Sequence, residues 1–178
     1  MLQGIFFDRV HQAVLTQVAH RLAPNSLLDV GCGTGRLLRS ARIRWPHALL
    51  FGVDPAEGML EVARHLTHGV TFKQGFAEAL PFPDASVDVV LSTVSFHHWQ
   101  DHAAGVREVA RVLRPGGYFF LTDVHYPAWL ARLIRHPSAP SAARVCTLFS
   151  EAGMRVIMQR PAALRFALST VGERPQAG

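Results

Sequence analysis

The chain has 178 residues, 49% of them hydrophobic, which suits one globular domain with its own core and leaves no room for a second. Its formal charge of +5 rests almost wholly on arginine, Lys73 being the only lysine, and the arginines are scattered, which reads as a solvated surface rather than a nucleic-acid footprint. Two cysteines, Cys32 and Cys146, are too few for a disulfide scaffold, and no window nears the roughly 18 uninterrupted apolar residues of a membrane span.

In chain order, Ile5, Val10, Val14, Val18 and Leu22 recur at helical spacing and predict a first helix over 5–22, which "PNS" at 24–26 breaks. Asp8, Arg9 and His11 interrupt what would have to be the apolar stretch of a signal peptide, so the expected compartment is the cytoplasm. "LLDV" (27–30) reads as a strand running into glycines, and "RLLRSARIRW" (36–45) as a helix closed by Pro46. Strands follow at 48–54, 70–75, 87–93 and 118–123, with helices at 57–66 and 101–113, the latter capped by Asp101 and ended by "RPGG". Beyond an irregular, arginine-bearing stretch, a helix over 141–153 takes Gly153 as its C-cap, and two strands, 154–160 and 163–171, close the fold. Strands alternating with helices predict a parallel α/β sheet covered on both faces.

The stretch "LLDVGCGTGRLL" (27–38) sets Gly31, Gly33 and Gly35 at every second position of the first strand-to-helix loop. In an open parallel sheet that loop borders the ligand crevice, and missing β-carbons let a ligand approach backbone N–H groups at a helix start. Asp54 ends the second strand, where a carboxylate can accept hydrogen bonds from both hydroxyls of a ribose, so the two features together imply a nucleoside cofactor. Arg36 stands where the dinucleotide fingerprint has its third glycine, and the lysine of a triphosphate-binding loop is missing.

Four stretches in order, "LLDVGCGTG", "GVDPAEGMLEVAR", "ALPFPDASVDVVLSTVSFHHW" and "VLRPGGYFFLTD", resemble the class I S-adenosylmethionine-dependent methyltransferases, in particular the small-molecule group called type 11, over residues 27–123. The resemblance implies a Rossmann-like, doubly wound, mostly parallel seven-stranded sheet of order 3-2-1-4-5-7-6 with strand 7 antiparallel. It divides one domain into an N-terminal helical cap (1–26), a cofactor-binding core (27–123), and a short cap segment, helix and closing strands (124–178). It places Asp29, Gly31, Cys32, Gly33 and Gly35 around the methionine moiety and Asp54 on the ribose. Pro55 and Met59 flank the adenine, the Ala77 N–H meets its ring, and Ser92 with Thr93 lines the floor near the sulfonium. Relatives usually carry "GDAE", whose aspartate meets the adenine amino group; this chain reads "GFAE", with Phe76 at that place. Losing one hydrogen bond to a charged acceptor costs roughly 1.5 to 3 kcal/mol, about one to two orders of magnitude in affinity.

Methyl transfer from a sulfonium is an in-line displacement, so alignment in a dry pocket does much of the work, and a base is needed only where the acceptor must lose a proton. "SFHHWQDH" supplies an imidazole cluster after the fourth strand, and His97 and His98 are the candidate bases. The plainer alternative is that one of the pair points into loop packing while the other is solvated. His98 and His102 have the i, i+4 spacing of metal ligands, but the cap at Asp101 separates them and no further ligand spacing supports them, so no metal is expected. Phe7 and His11, with Asp8, belong on the resemblance to a cap over the cofactor, and Trp99, Tyr126 and Trp129 are candidate walls of an acceptor pocket, local packing being the alternative for each. Arg132, Arg135 and Arg144 could draw an anionic acceptor or be simply solvated.

The functional expectation is a methyltransferase acting on a small-molecule acceptor. Two alternatives stand beside it: a catalytically silent S-adenosylmethionine-binding partner or regulatory subunit, and an RNA methyltransferase, against which the missing N–P–P–Y/F-type stretch counts for base methylation. With only 26 residues before the first motif, the cap is short, and a homodimer or a partner protein would complete it.

Overall fold

The computed structural model describes residues 2–125, 140–162 and 167–176, and within them helix and strand alternate as the apolar periodicity requires. The elements are α1 (Leu2–Ala19), β1 (Ser26–Val30), α2 (Arg36–Arg44), β2 (Leu49–Asp54), α3 (Glu57–Leu66), β3 (Val70–Gln74), β4 (Val87–Thr93), a 3-10 turn (Phe96–His98), α4 (His102–Val112), β5 (Leu113–Val124), α5 (Ala142–Glu151), β6 (Arg155–Pro161) and β7 (Ala167–Glu173). The strands form one sheet of order β3-β2-β1-β4-β5-β7-β6. β3, β2, β1, β4 and β5 pair in parallel, and β7 runs antiparallel to both β5 and β6. This is the topology expected from the resemblance.

Side-chain alternation along each strand divides the core in two. On one face Leu27, Leu50, Leu91 and Phe120 meet Val14 and Val18 of α1, Leu38 of α2 and Leu60 of α3. On the other, Leu28, Val90 and Phe119 meet Val106 and Val109 of α4 and Leu148 and Phe149 of α5. β1 is buried at all five positions, as a strand covered on both faces must be. The carboxyl ends of β1, β2, β4 and β5 are thereby brought to one rim, with Val30 paired to Val53 and Thr93 to Thr122. Among the described residues no helix is long and apolar enough to cross a membrane.

Caps close the helices locally. Asp101 Oδ1 accepts the Ala104 N–H at 2.9 Å, as expected for α4. α5 ends in a Schellman arrangement, with the Met154 N–H on the Phe149 carbonyl and the Gly153 N–H on that of Ser150, Gly153 lying at φ 75°.

The structure differs from the sequence reading at several ends. α1 closes at Ala19 rather than residue 22, because its ladder tightens to an i→i−3 bond from Arg21 N–H to the Val18 carbonyl. β5 begins at Leu113, five residues earlier than expected, and "RPGG" lies inside it. Leu113 already pairs with Val87, and the register then shifts before Tyr118 resumes pairing with Val89. That bulge needs its glycine: a β-carbon on Gly117 would stand 2.8 Å from the Asp88 carbonyl oxygen. β7 runs Ala167–Glu173, two residues beyond the expected end, since Glu173 still pairs with Tyr118 and Arg155.

Candidate active site

The glycine loop leaves β1 at the rim, and its glycines answer to different neighbours. Gly31 lies at φ 77°, and a β-carbon there would stand 2.4 Å from that of Ser95 in the loop after β4. At Gly33, φ 51°, an added β-carbon would meet no protein atom within 4 Å, so its side stays open. Two acidic strand residues serve this loop. Asp54, at the end of β2, takes the Gly33 N–H on Oδ2 at 2.8 Å and the Ala56 N–H on Oδ1 at 2.9 Å. Asp29, inside β1, is 3% exposed, and its Oδ1 has no hydrogen-bond partner among the described residues. Burial first, and the neighbouring Asp54 charge second, push its carboxyl up to about 7.

A cleft of about 660 Å³ opens in front of these groups, within the range of small-molecule sites. Of the residues singled out for a cofactor, Gly31, Gly33, Asp54, Pro55, Met59, Phe76 and Ala77 line it. Asp29, Cys32, Gly35, Ser92 and Thr93 are not on its wall. Ser92 instead shares a 2.8 Å hydrogen bond with Ser95, which in turn donates to the Val30 carbonyl. Thr93 is buried with no partner for its hydroxyl among the described residues. Cys32 packs beneath Gly52, where a β-carbon would come within 2.8 Å of its sulfur, and burial pushes its thiol up.

The two candidate bases separate clearly. His98 is exposed and lines the cleft. His97 is not on the cleft wall. Its side chain is 3% exposed, its ring Nδ1 lies 2.8 Å from Asp123 Oδ1, and its backbone N–H donates to Asp123 Oδ2 at 2.8 Å. The two imidazole rings stand 4.0 Å apart, centre to centre. His102 is turned to the Phe96 carbonyl, 3.0 Å away, and packs on the Phe96 ring.

Phe7 and Trp99 line the cleft, whereas His11 does not. The His11 imidazole is buried, and burial followed by the Arg36 charge lowers its pKa to about 4, so it is neutral at pH 7. Trp99 is mostly core, edge-on to Phe96 at 4.8 Å and lying over Gly105, where a β-carbon would come within 2.4 Å of the indole. Tyr126, Trp129, Arg132 and Arg135 lie outside the described residues, and Arg144 pairs with Glu151 on the exposed side of α5.

Among the residues that went unread in the sequence are four of the cleft wall and one supporting acid. Glu78, Val94, Ser95 and Gln100 line the cleft, and Asp123 anchors His97. Asp123 had a usable signal, because "LTD" ends β5 with a carboxylate as "GVD" ends β2. Val94 had none: it is a β-branched residue at φ 54°, a conformation no local pattern announces.

Comparison with known proteins agrees with this geometry. The sequence model of the methyltransferase-domain family, type 11, matches residues 28–121. The uncharacterized methyltransferase YcgJ of Bacillus subtilis is 36% identical over 131 residues, 70% of this chain and 51% of that protein. A demethylmenaquinone methyltransferase of Deinococcus radiodurans is 35% identical over 120 residues, 65% of this chain and 49% of its own length. The chain therefore spans about half the length of these curated relatives. Among solved structures, the methyltransferase in a complex with the Haloferax volcanii Trm112 methyltransferase activator superposes with a TM-score of 0.81 at 26% identity, over 98% of this chain and 93% of that one. A glycine loop and the acid that ends β2, at the rim of a 3-2-1-4-5-7-6 sheet, with a family match over more than half of the residues, lead to one conclusion: the chain belongs to the class I S-adenosylmethionine-dependent methyltransferases, in the type 11 methyltransferase-domain family.

Proposed function

We propose that the chain transfers a methyl group from S-adenosylmethionine to a small-molecule acceptor, with His98 as general base where the acceptor must lose a proton. The observation that carries the reading is the place of His98 on the cleft wall, exposed, with His97 held off that wall by Asp123. Two features of the cleft wall and one buried beside it suit the cofactor. The buried Asp29 Oδ1 lacks a partner and suits an ammonium, the open side of Gly33 suits close approach of a ligand, and Asp54 at the end of β2 suits a ribose diol. When bound, the cofactor supplies an electrophilic methyl on a sulfonium leaving group.

The residues of the chain orient and shield that group. Gly33, Asp54, Pro55 and Met59 hold the nucleoside side of the cleft, and the wall from Val94 to Trp99 closes the acceptor side. Alignment in a water-poor site lowers the entropic part of the barrier. His98 takes the acceptor's proton. His97 and Asp123 are positioning residues. The carboxylate takes both the backbone N–H and the ring nitrogen of His97 and so fixes the turn that carries His98.

The test is release of S-adenosylhomocysteine from S-adenosylmethionine across a panel of quinols, carboxylic acids and amines, with His98→Gln and Asp123→Asn alongside wild type. His98→Gln is expected to lower kcat by about 10²-fold or more with hydroxyl acceptors, while S-adenosylhomocysteine still binds as in wild type. An unchanged kcat and pH profile in His98→Gln would remove the base assignment. A partner-dependent reading is favoured by the likeness to a methyltransferase found with an activator protein; it predicts cofactor binding without turnover until a second protein is supplied.

A further inference from the structure

We infer that the base end of the cleft grips a purine by its faces and does not read the 6-position, so that the site accepts cofactor analogues altered there. The inference rests on the cofactor reading above. With the ribose at Asp54 and the glycine loop on its β1 side, the base extends outward over β2 toward β3, to Pro55, Met59, Phe76 and Ala77.

That end of the wall is apolar. Phe76 is 53% exposed and Met59 48%, and both residues line the cleft, one bringing an aromatic ring and the other a thioether. The Phe76 backbone is fixed at the rim by a bridge to Ala79, whose N–H donates to the Phe76 carbonyl at 3.2 Å. Stacking of a base on such a ring is indifferent to its substituents, since every purine offers a π-face.

An exocyclic amino group is read when an acceptor, above all a carboxylate, is aimed at it. Among the described residues, the cleft wall carries two carboxylates, Asp54 and Glu78. Asp54 is committed to the Gly33 and Ala56 N–H groups at the ribose position. Glu78 Oε1 takes the N–H groups of Gln100 and Asp101 at 2.7 and 3.0 Å, which staples the loop after β3 to the start of α4. The remaining polar side chain at this end, Gln100, can turn either its oxygen or its nitrogen outward and so selects neither a donor nor an acceptor.

The test compares calorimetric binding of S-adenosyl-L-homocysteine with that of its analogue bearing hydrogen in place of the 6-amino group, which keeps every ring nitrogen. The full chain is used as wild type, Phe76→Asp and Phe76→Ala. Wild type is expected to bind the two ligands within about threefold. Phe76→Asp introduces the missing acceptor and is expected to raise the ratio to about tenfold or more, the value of one hydrogen bond to a charged group. Phe76→Ala is expected to weaken both ligands alike, by about tenfold. A wild-type preference above about tenfold for the amino ligand would overturn the inference and point to Glu78. A Phe76→Ala chain that binds as wild type does, or a Phe76→Asp chain that keeps the wild-type ratio, would overturn it too, by placing the base away from residue 76. Absence of binding by either ligand to wild type would defeat the cofactor reading itself, an outcome distinct from the other three.

Discussion

Asp29→Asn is the perturbation whose consequences follow most directly from the structure. The carboxyl is buried in β1 with one oxygen unpartnered, and its pKa is raised from 3.8 to about 7. The folded protein therefore keeps this proton at pH values where the unfolded chain has lost it. Between about pH 4 and 7 the native state binds more protons, so this group's contribution to stability falls as pH rises and levels off above 7. At about 1.4 kcal/mol per pH unit, the window amounts to roughly 4 kcal/mol. The Asn variant is neutral at every pH and lacks the slope. In urea denaturation of the ligand-free chain at steps from pH 4.5 to 8, the variant is expected to gain on wild type by a few kcal/mol as pH rises. That corresponds to about 1 to 3 M in midpoint for a chain of this size. Cofactor binding supplies the second arm. An ammonium beside Asp29 pulls the proton off, so wild-type affinity for S-adenosylhomocysteine is expected to rise with pH through about 7, and the variant's to stay flat. A stability difference constant across pH to within about 0.5 kcal/mol would refute the assignment of a costly buried carboxylate.

Other perturbations test other parts of the frame. His11 is buried neutral with its pKa lowered to about 4, so its contribution to stability is present above about 6.5 and lost as pH falls toward 4, roughly 3 kcal/mol in all. His11→Gln should flatten that acidic limb in the same urea series, and an unchanged limb would count against burial of the ring. Asp54→Ala removes the anchor of Gly33 and Ala56 together with the proposed ribose acceptor. Calorimetry should show S-adenosylhomocysteine affinity falling by about 10²-fold or more, and a loss below about fivefold would move the ribose elsewhere. Gly31→Ala drives a β-carbon into Ser95 at φ 77° and should lower Tm by several degrees. Adding Ser95→Gly removes the overlap but not the unfavourable backbone angle, so recovery should be partial, and full recovery would show that φ carries no cost.

The scaffold was legible because it is written in local patterns. Apolar runs ending in glycine or aspartate announced β1 and β2, and Asp101 announced the start of α4. Strand order followed from the resemblance. The ends of elements were less legible where tertiary contacts set them. "RPGG" has the composition of a turn, yet Leu113 is captured by Val87 and the glycines become a bulge inside β5. The site was half legible for a similar reason. The place of Gly31, Gly33 and Asp54 on the cleft is read from the sequence because it depends on backbone position at a strand end. Which of His97 and His98 faces the cleft depends on Asp123, 26 residues away in sequence, and adjacent histidines offer no pattern that separates them.

The loop after β4 shows how such a choice is enforced. Val94 sits at φ 54°, a conformation that costs a β-branched residue on the order of 1 to 2 kcal/mol. It persists because three hydrogen bonds tie the loop to two neighbouring strands, β1 and β5. The Val94 N–H donates to the Thr122 carbonyl of β5, Ser95 Oγ donates to the Val30 carbonyl of β1, and the His97 N–H donates to Asp123 at the end of β5. Ser95 in turn occupies the space that Gly31 leaves. The glycine loop and the turn that carries His98 thus share one set of anchors. Ser95 joins the glycine loop to the turn that presents His98, and the strain at Val94 is held by the same bonds that place that turn.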